Sequence, residues 1–260
     1  MMDMTGKRGL VMGVANERSI AWGIAKALAG AGADLAFTYQ GEAFGKRVAP
    51  LAELVGSTTL LDVDVTDDAS LDAAFTELEN GGKLDFVIHA IAFSDKAELT
   101  GRFVDTSRAN FKHSLDISCY SLIEIARRAR PLMTDGGTIL TLTFDGSQRV
   151  MPFYNVMGVA KAALEAAVRY LASDLGPEGI RVNAISPGPM KTLAGAAIGG
   201  ARKTFRHAEA NAPLRANATL EAIGGTALYL CSDAGACTTG EVIHVDGGYH
   251  VMGMPHPDNI

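Results

Sequence analysis

The fold of this chain is indicated by RGLVMGVANERSIAWGIAKALAGAGADLAFTY, which runs from residue 8 to residue 39. The stretch opens with a short apolar run, continues through a helical pattern from about Ser19 to Ala31, and ends with a second apolar run, DLAFTY. Two short apolar runs joined by a helix are typical of a βαβ unit, in which both strands lie parallel in one sheet. The opening residues therefore predict an α/β fold.

The same alternation continues along the rest of the chain. Five further strands are predicted in TLLDVDV (59–65), LDFVIHAIAF (84–93), GGTILTLTF (136–144), IRVNAIS (180–186) and EVIHVDGG (241–248). Helical patterns fall around Val48 and Leu54, at 68–78, at 107–133, from Tyr154 to about Leu175, and at 220–231. No internal repeat or Pro/Ser-rich linker divides the sequence. We therefore predict a single doubly wound Rossmann-type domain over residues 1–260, with a parallel sheet of about seven strands and helices on both faces.

Composition narrows the possible functions. Of the 260 residues, 48% are hydrophobic and 20% are charged, which is typical of a soluble globular protein. The formal net charge of −6, without a long basic run, argues against a nucleic-acid binder and against a protein that binds anionic membranes.

The cysteines and the N-terminal residues indicate the cellular compartment in which the protein is expected. Cys119, Cys231 and Cys237 show neither paired spacing nor a metal-ligand pattern, so we expect reduced thiols and no metal site. The apolar run in MMDMTGKRGLVMG comes too early and is too short for a signal peptide, and no stretch approaches 18 uncharged apolar residues. The sequence predicts a cytoplasmic protein.

GVANERSIAWG (13–23) follows the first predicted strand and leads into a helix. Gly13, Ser19 and Gly23 bracket this turn, where free backbone N–H groups and the positive helix end would face one point and attract an anion. The spacing is not the GxGxxG of many dinucleotide sites. A plain tight turn capped by Ser19 explains the stretch equally well.

The following strand ends suggest where a nucleotide would lie. Gln40 ends the second strand, where dinucleotide folds distinguish a free ribose hydroxyl from a 2′-phosphate, and it carries no positive charge for a phosphate. Asp64 follows the third strand and could accept from an adenine amine or cap a turn. The small residues around Ile91 after the fourth strand would let a cofactor approach, whereas His89 is interpreted as an interior histidine.

A tyrosine and a lysine stand seven positions apart in YNVMGVAKAALEA (154–166). At about 3.6 residues per turn, Tyr154 and Lys161 would leave one face of a helix, with Met157 and Gly158 between them. A glycine inside a helix suggests that something comes close there. The alternative is an exposed lysine beside a half-buried tyrosine.

Taken together, these motifs resemble the short-chain dehydrogenase/reductase superfamily, and within it the enoyl-acyl-carrier-protein reductases of bacterial fatty-acid synthesis. The most specific parts are the GVANERSIAWG turn, FTYQ (37–40), the wide Tyr154-x6-Lys161 spacing and RVNAISPGPMKT (181–192). Most short-chain dehydrogenases place only three residues between this tyrosine and lysine. The resemblance implies an NADH-dependent reduction of the trans-2 double bond of an enoyl thioester.

The resemblance also implies roles for single residues. Lys161 would bind the nicotinamide ribose, and Tyr154 would face the thioester carbonyl oxygen. From sterics alone, we expect Gly158 to keep that helix face open. Thr192 would contact the pyrophosphate, and the segment from Met190 to Arg215 would close over the acyl chain. The predicted catalytic residues are Tyr154 and Lys161; the cofactor-binding residues are Gly13, Ser19, Ile20, Gln40, Asp64, Val65, Ile91, Lys161 and Thr192; the substrate-binding residues are Ser94, Phe144 and Met157.

Three positions depart from the family pattern. Phe144 stands where another tyrosine is usual, Ala92 stands where a glycine is usual, and Asp145 adds an unexpected acid. These departures leave the set of hydrogen-bond donors and the tightness of cofactor binding open. Two alternatives remain. One is a carbonyl-reducing short-chain dehydrogenase, which the wide Tyr154–Lys161 spacing disfavours, and the other is a dinucleotide-binding protein without catalytic activity, which only Phe144 supports.

The sequence and the family resemblance also give expectations for the cofactor and the partners. NADH is expected over NADPH because Gln40 is neutral and Glu42 would repel a 2′-phosphate, although Lys46 and Arg47 lie one turn further along. The expected partner is an acyl-carrier protein, with Arg202, Lys203 and Arg206 as a basic docking patch or else an ordinary solvated helix face. A homotetramer is expected because the helices at 107–130 and 154–175 and the segment GYHVMGMPHP (248–257) are strongly apolar.

Overall fold

Helices and strands alternate around one parallel sheet in the computed structural model, which describes residues 2–193, 195 and 200–259. The strands are β1 (Arg8–Met12), β2 (Asp34–Tyr39), β3 (Thr59–Asp62), β4 (Phe86–His89), β5 (Gly137–Leu142), β6 (Ile180–Pro187) and β7 (Val242–Val245). The helices are α1 (Ile20–Gly30), α2 (Gly41–Leu54), α3 (Asp68–Asn80), α4 (Lys96–Leu99), α5 (Arg108–Leu115), α6 (Ser121–Ala129), α7 (Val156–Leu175), α8 (Ala201–Asn211) and α9 (Leu220–Cys231). The sheet has seven strands in the order β3-β2-β1-β4-β5-β6-β7, which confirms the predicted fold class.

Successive strand residues face opposite sides of the sheet and build two separate cores. In β1, Leu10 joins the core under α3, α6 and α7, whereas Val11 joins the core under α1, α2 and α9. Ile139 and Leu140 of β5 divide in the same way. Because helices cover both faces of the sheet, these strands are continuous runs of apolar residues and do not alternate between apolar and polar residues.

The order of the strands reverses between β1 and β4, and ligands of open parallel sheets bind outside such a switch point. Gly13, directly after β1, has a φ of +92°, and a Cβ built on it would lie 2.0 Å from the carbonyl oxygen of Ala90. Only glycine permits this approach of the two strand ends. Gly13 therefore shapes the crevice at the carboxyl edge of the sheet.

The predicted helix over 107–133 is not one continuous α-helix. A π-helical turn at Asp116–Tyr120 separates α5 from α6, and a short 3-10 turn follows α6. Within the π turn, the Ser118 hydroxyl accepts from the Phe93 N–H at 3.0 Å and donates to the Phe93 carbonyl at 3.1 Å. The wider turn thus ties the helix to the segment after β4, and π turns of this kind are frequent at functional sites.

None of the helices within the described ranges is long and apolar enough to span a membrane.

Candidate active site

A cavity of about 1020 Å³ opens at the carboxyl edge of the sheet, beside the switch point. It is lined by segments that follow β1, β4, β5 and β6, together with the start of α7 and part of α8. The lining includes both predicted catalytic residues, Tyr154 and Lys161. Other predicted residues in the lining are Gly13, Ser19, Ile20, Ile91, Ser94, Phe144, Met157 and Thr192. The cavity therefore gathers residues that are far apart in the sequence.

The start of α1 is open toward this cavity. Ser19 precedes the helix, yet its side chain makes no cap hydrogen bond to the first turn within the described residues. Its hydroxyl oxygen instead accepts from the backbone N–H groups of Ala15 and Asn16, at 2.9 and 3.1 Å. The Ser19 side chain therefore holds the preceding turn and does not cap the helix, while the Ser19 carbonyl accepts from the Trp22 and Gly23 N–H groups. Among the described residues, the N–H groups of Ile20 and Ala21 are left to face an anion.

Gly23 was expected to help shape the anion-binding turn of GVANERSIAWG, but it has a packing role. It lies inside α1, and a Cβ built on it would come within 2.9 Å of the Leu220 Cβ. Gly224 of α9 makes the reciprocal approach, with a built Cβ 2.8 Å from the Gly23 carbonyl oxygen. The two glycines let α1 and α9 cross closely, and Gly23 belongs to this crossing.

Gln40 and Asp64 lie beside one another at the ends of β2 and β3, although neither is in the lining of the cavity. The Gln40 Nε2 donates to Asp64 Oδ2 at 3.0 Å, and the other carboxylate oxygen accepts from the Thr66 hydroxyl and N–H. These bonds, the one from the Thr66 hydroxyl above all, lower the pKa of Asp64. Asp64 thus forms the predicted turn and also fixes Gln40. Val65 packs against the core and likewise does not line the cavity.

His89 is a fully paired interior histidine, as interpreted from the sequence. Its Nδ1 lies 3.0 Å from the Thr141 hydroxyl and its Nε2 lies 2.8 Å from the Ser121 hydroxyl. Burial, with a smaller effect of Lys161, lowers the pKa of His89 to about 3, so the ring is neutral. In the part of the chain that the structure describes, no group of three His, Cys, Asp or Glu side chains is placed to hold a metal ion.

Lys161 is buried, with only 5% of its surface exposed, so the alternative of an exposed lysine was wrong. Its Nζ donates to the Leu142 carbonyl oxygen at the end of β5, at 2.8 Å. Burial lowers the pKa of Lys161 to about 8, partly opposed by Cys119 and Glu165. A cation is thus held over the strand ends, where it can bind the hydroxyl groups of a ribose.

Tyr154 is also buried, at 8% exposure, and packs with Leu99 and Met157. The Phe144 ring meets it edge-on, and both rings belong to the cavity wall. Burial raises the pKa of Tyr154 above its ordinary value. The phenol therefore keeps its proton throughout the neutral range and can act as a hydrogen-bond donor.

The expectation that Tyr154 lies on the helix was wrong. The helix α7 begins at Val156, because Asn155 has φ 39° and ψ −122°, a conformation outside the helical region. Tyr154 lies in the preceding turn, where its carbonyl oxygen accepts from the Met157 N–H at 2.9 Å. Both side chains still reach one cavity, but the backbone of a turn orients the tyrosine.

Gly158 was expected to keep the helix face open, and the structure corrects this. A Cβ built on Gly158 would lie 2.7 Å from the Gly146 carbonyl oxygen. The group that comes close is therefore backbone from the turn after β5, and not a ligand. The glycine lets α7 pack directly against that turn.

Sequence reasoning missed Glu165, which lies one turn after Lys161 on α7. One oxygen of its buried carboxylate accepts from the hydroxyls of Thr143 and Ser147, the first at 2.6 Å. Glu165 therefore fastens α7 to the residues that follow β5. The spacing of four from Lys161 was the available signal, since residues at i and i+4 share one helix face.

The substrate-covering segment expected at 190–215 is described only in part. Thr192 and Leu193 line the cavity, and so do Ala201 and Thr204 of α8. Residues 194 and 196–199 of that segment lie outside the described residues. The described part places a helix against the cavity opening, and its closing movement stays a prediction.

The sheet order, the open start of α1 and the Tyr154–Lys161 pair in one cavity define a nicotinamide-dependent oxidoreductase of the short-chain dehydrogenase/reductase class. A model of the enoyl-(acyl carrier protein) reductase family matches residues 13–250. The chain is 61% identical to the enoyl-[acyl-carrier-protein] reductase [NADH] 1 of Rhizobium meliloti, covering 98% of this chain and 94% of the relative. The chain belongs to the family of NADH-dependent enoyl-acyl-carrier-protein reductases.

Solved structures of similar proteins agree with this assignment. The enoyl-acyl-carrier-protein reductase of Anaplasma phagocytophilum, solved in complex with NAD, is 55% identical, with a TM-score of 0.94 over 99% of this chain and 96% of that chain. The Bacillus cereus enoyl-acyl carrier protein reductase, solved with NADP+ and an indole naphthyridinone, is 50% identical, with a TM-score of 0.95 over 98% of this chain and 100% of that one.

Proposed function

We propose that this chain reduces the trans-2 double bond of enoyl thioesters carried on acyl-carrier protein, with Tyr154 and Lys161 as the catalytic residues. The observation that carries the proposal is that a buried phenol and a buried lysine line the same cavity as the open start of α1. One end of the cavity can thus hold a pyrophosphate while the other holds a reacting carbonyl group.

The residues present fit a dinucleotide. Gly13 and the uncapped first turn of α1 would receive the pyrophosphate, with Thr192 on the other side of the cavity. Gln40 would meet the adenosine ribose, and Ile91 would pack beside it. Lys161 would bind the nicotinamide ribose, because its ammonium group is already fixed over the end of β5 by the Leu142 carbonyl. When bound, NADH supplies the hydride that adds to the β-carbon of the enoyl thioester.

Tyr154 stabilises the charge that this addition creates. As the β-carbon gains its new bond, the electrons of the double bond move toward the thioester carbonyl, and negative charge develops on its oxygen. The Tyr154 hydroxyl donates a hydrogen bond to that oxygen and so stabilises the enolate more than the neutral substrate. A proton from solvent then completes the α-carbon, and the carbonyl double bond re-forms.

The cavity wall provides the remaining contacts in this proposal. Phe144 and Met157 pack beside Tyr154, so the acyl chain next to the thioester meets apolar surface that excludes water. Ser94 also lines the cavity, and its hydroxyl donates to Asn110 Oδ1 at 3.3 Å. An apolar cavity with few polar groups suits a long acyl chain with one reacting thioester.

An assay with two acceptors and a blank tests the proposal. NADH oxidation is measured with crotonyl-CoA, with a ketone, and with no acceptor. We expect oxidation with the enoyl thioester alone. Reduction of the ketone would support a carbonyl reductase instead, and NADH binding without any turnover would support a non-catalytic dinucleotide-binding protein.

The proposal extends to assembly and compartment, with a cytoplasmic homotetramer as the working form. Large apolar side chains are partly exposed on the two longest helical segments: Phe111, Tyr120 and Ile123 on α5 to α6, and Val159 and Tyr170 on α7. Pairing of these faces across two-fold axes would bury them. Light scattering at micromolar concentration should give four times the chain mass of 27.2 kDa. A monomeric mass would contradict the tetramer.

A further inference from the structure

The turn that carries Tyr154 is held in an unfavourable backbone conformation on both sides. Phe153 has φ 62° and Asn155 has φ 39°, and neither is a glycine. Such conformations cost free energy and persist only where surrounding contacts hold them, which is frequent at active sites. The contacts of these two residues therefore help to hold the backbone that carries Tyr154.

The side-chain amide of Asn155 makes two of these contacts. Its Nδ2 donates to the carbonyl oxygen of Glu98 at 3.0 Å and to that of Gly101 at 2.9 Å. Both acceptors belong to α4 and the residues just after it. Asn155 thus ties the Tyr154 turn to a segment that is more than fifty residues earlier in the chain.

That earlier segment is itself fixed, so it can serve as an anchor. The Glu98 carboxylate accepts from the N–H and the hydroxyl of Ser107, at 2.9 and 2.7 Å, and from the Asn110 amide at 3.2 Å. The Asn110 Oδ1 in turn accepts from the Asp95 N–H at 3.0 Å. All of these residues line the cavity, so the network forms the wall that faces Tyr154.

We propose that Asn155 is a positioning residue for Tyr154, one that fixes the phenol relative to this wall and hence relative to a bound thioester. The inference rests on the catalytic role of Tyr154 given above. Lys161 is held separately, by the Leu142 carbonyl on β5. Loss of the Asn155 amide should therefore affect turnover but leave cofactor binding nearly unchanged.

Substitution by glycine separates this role from simple structural support. Asn155→Gly removes the amide but also relieves the positive φ, so the loss of its two hydrogen bonds is partly offset and the protein should stay folded. The misplaced tyrosine should nevertheless lower kcat roughly ten- to a hundredfold, with the KM for NADH changed less than about twofold. Asn155→Asp keeps the shape but cannot donate, and should also lower kcat. Asn80→Gly, at an exposed position outside the cavity lining, is the matched control and should leave kcat unchanged.

A double-mutant cycle with Tyr154→Phe completes the test. If Asn155 acts through the tyrosine hydroxyl, Asn155→Gly should cause little further loss of kcat in the Tyr154→Phe background. A wild-type kcat in Asn155→Gly would overturn the positioning role. So would an equal loss of kcat on Asn155→Gly in the wild-type and Tyr154→Phe backgrounds. In both cases Tyr154→Phe alone would still lower kcat, so the catalytic assignment would stand. Near-normal turnover of Tyr154→Phe would instead overturn the proposed catalytic assignment, and the positioning role with it.

Discussion

The Phe144 ring meets the Tyr154 ring edge-on, with centroids 5.0 Å apart and planes at 67°. This geometry is favourable for an aromatic pair and holds the phenol ring against the end of the segment after β5. Phe144 has no hydroxyl, so Tyr154 is the only phenol of the pair that can donate to a substrate. The pair therefore combines a donor with an apolar support.

Removal of the Tyr154 hydroxyl tests its role as the sole phenolic donor of this pair. Tyr154→Phe should reduce kcat by roughly two to three powers of ten, the scale for a lost donor to a developing oxyanion, with little change in NADH affinity. Steady-state kinetics with crotonyl-CoA and NADH titration measure the two effects. Phe144→Tyr in the Tyr154→Phe background should restore part of the turnover, and a complete lack of rescue would place the residue 144 side chain out of reach of the thioester.

The pKa of Lys161 predicts a pH dependence. Because burial lowers it to about 8, the free enzyme carries the charged lysine below that pH and loses it above. The kcat/KM for NADH, which reports the free enzyme, should be constant below pH 7 and fall above about 8. Tyr154 does not contribute, since its pKa is raised. Lys161→Met should weaken NADH binding and abolish the alkaline fall; a fall that persists in this variant would assign it to another group.

Cofactor preference should depend on the Gln40–Asp64 pair. Asp64, ionised at neutral pH, adds negative charge beside Gln40, whereas Glu42 is already paired with Lys46 at 2.6 Å. We expect NADH to give the higher kcat/KM. Gln40→Arg should raise kcat/KM for NADPH about tenfold, equivalent to roughly 1.4 kcal/mol, and Gln148→Arg, exposed and outside the cavity lining, should not. Equal efficiency of the wild-type enzyme with both cofactors would refute the preference.

The basic face of α8 is the expected docking site for acyl-carrier protein. Arg202, Lys203 and Arg206 are exposed, while Ala201 and Thr204 of the same helix line the cavity. A carrier bound to this face would place its thioester arm near the opening. The charge-reversed variant Arg202→Glu/Lys203→Glu should raise the KM for the carrier-bound substrate several-fold and leave the coenzyme A thioester unchanged.

Two comparisons keep this docking test specific. Lys26→Glu is the control, because it reverses a charge at an exposed position of α1 that does not line the cavity. It should leave the KM values for both substrates unchanged. Equal increases of KM for both substrates in the α8 variant would indicate a damaged cavity and count against docking.

Asp145 should destabilise the folded protein at neutral pH. Both carboxylate oxygens are buried without a hydrogen-bond partner among the described residues, although Arg149 Nε lies 4.0 Å from Oδ1. Burial raises the pKa of this group, and Arg149 opposes the shift only in part. The folded state therefore binds this proton more tightly than the unfolded state does. Stability from Asp145 is complete below its ordinary pKa of about 3.9 and is lost as the pH rises through the higher folded value.

Neutralisation of this carboxylate should consequently raise the melting temperature. Asp145→Asn should increase Tm at pH 7 by about 2–4 °C, the shift per kcal/mol for a domain of roughly this size, and the gain should shrink toward pH 4. Thermal melts across this pH range measure it. Asp105→Asn, at an exposed position, is the control, and a lower Tm for Asp145→Asn at pH 7 would show that the carboxylate has a stabilising partner.

The sequence predicted the strands better than the turns. The five central strands β2, β1, β4, β5 and β6 are short runs of mostly buried apolar residues, such as DLAFTY in β2, and such runs are recognisable without knowledge of their neighbours. The π turn at Asp116–Tyr120 was missed because the helical apolar pattern continues across it, while its cause is a contact of Ser118 with Phe93. Local patterns do not report such contacts between distant residues.

In the candidate site too, some features could be predicted from local sequence patterns and others could not. Lys161, Ser19 and Ile91 could be placed from motif and strand order, and all three line the cavity. The backbone conformation at Asn155 could not be predicted from the sequence. A positive φ at a residue other than glycine is imposed by its surroundings and leaves no periodic signal. The bond between Gln40 and Asp64 likewise depends on the register of β2 and β3, which pairs Tyr39 with Asp62.

The attachment of α7 to β5 has a consequence for how such an enzyme can change its substrate. Lys161 and Glu165 hold the helix to Leu142, Thr143 and Ser147, so the proposed catalytic lysine is fixed to the end of a strand of the central sheet. The helix α8, by contrast, contributes to the cavity from outside that unit. We therefore expect that natural variation or laboratory selection in α8 can admit longer, shorter or branched acyl chains while Lys161 keeps its attachment to β5.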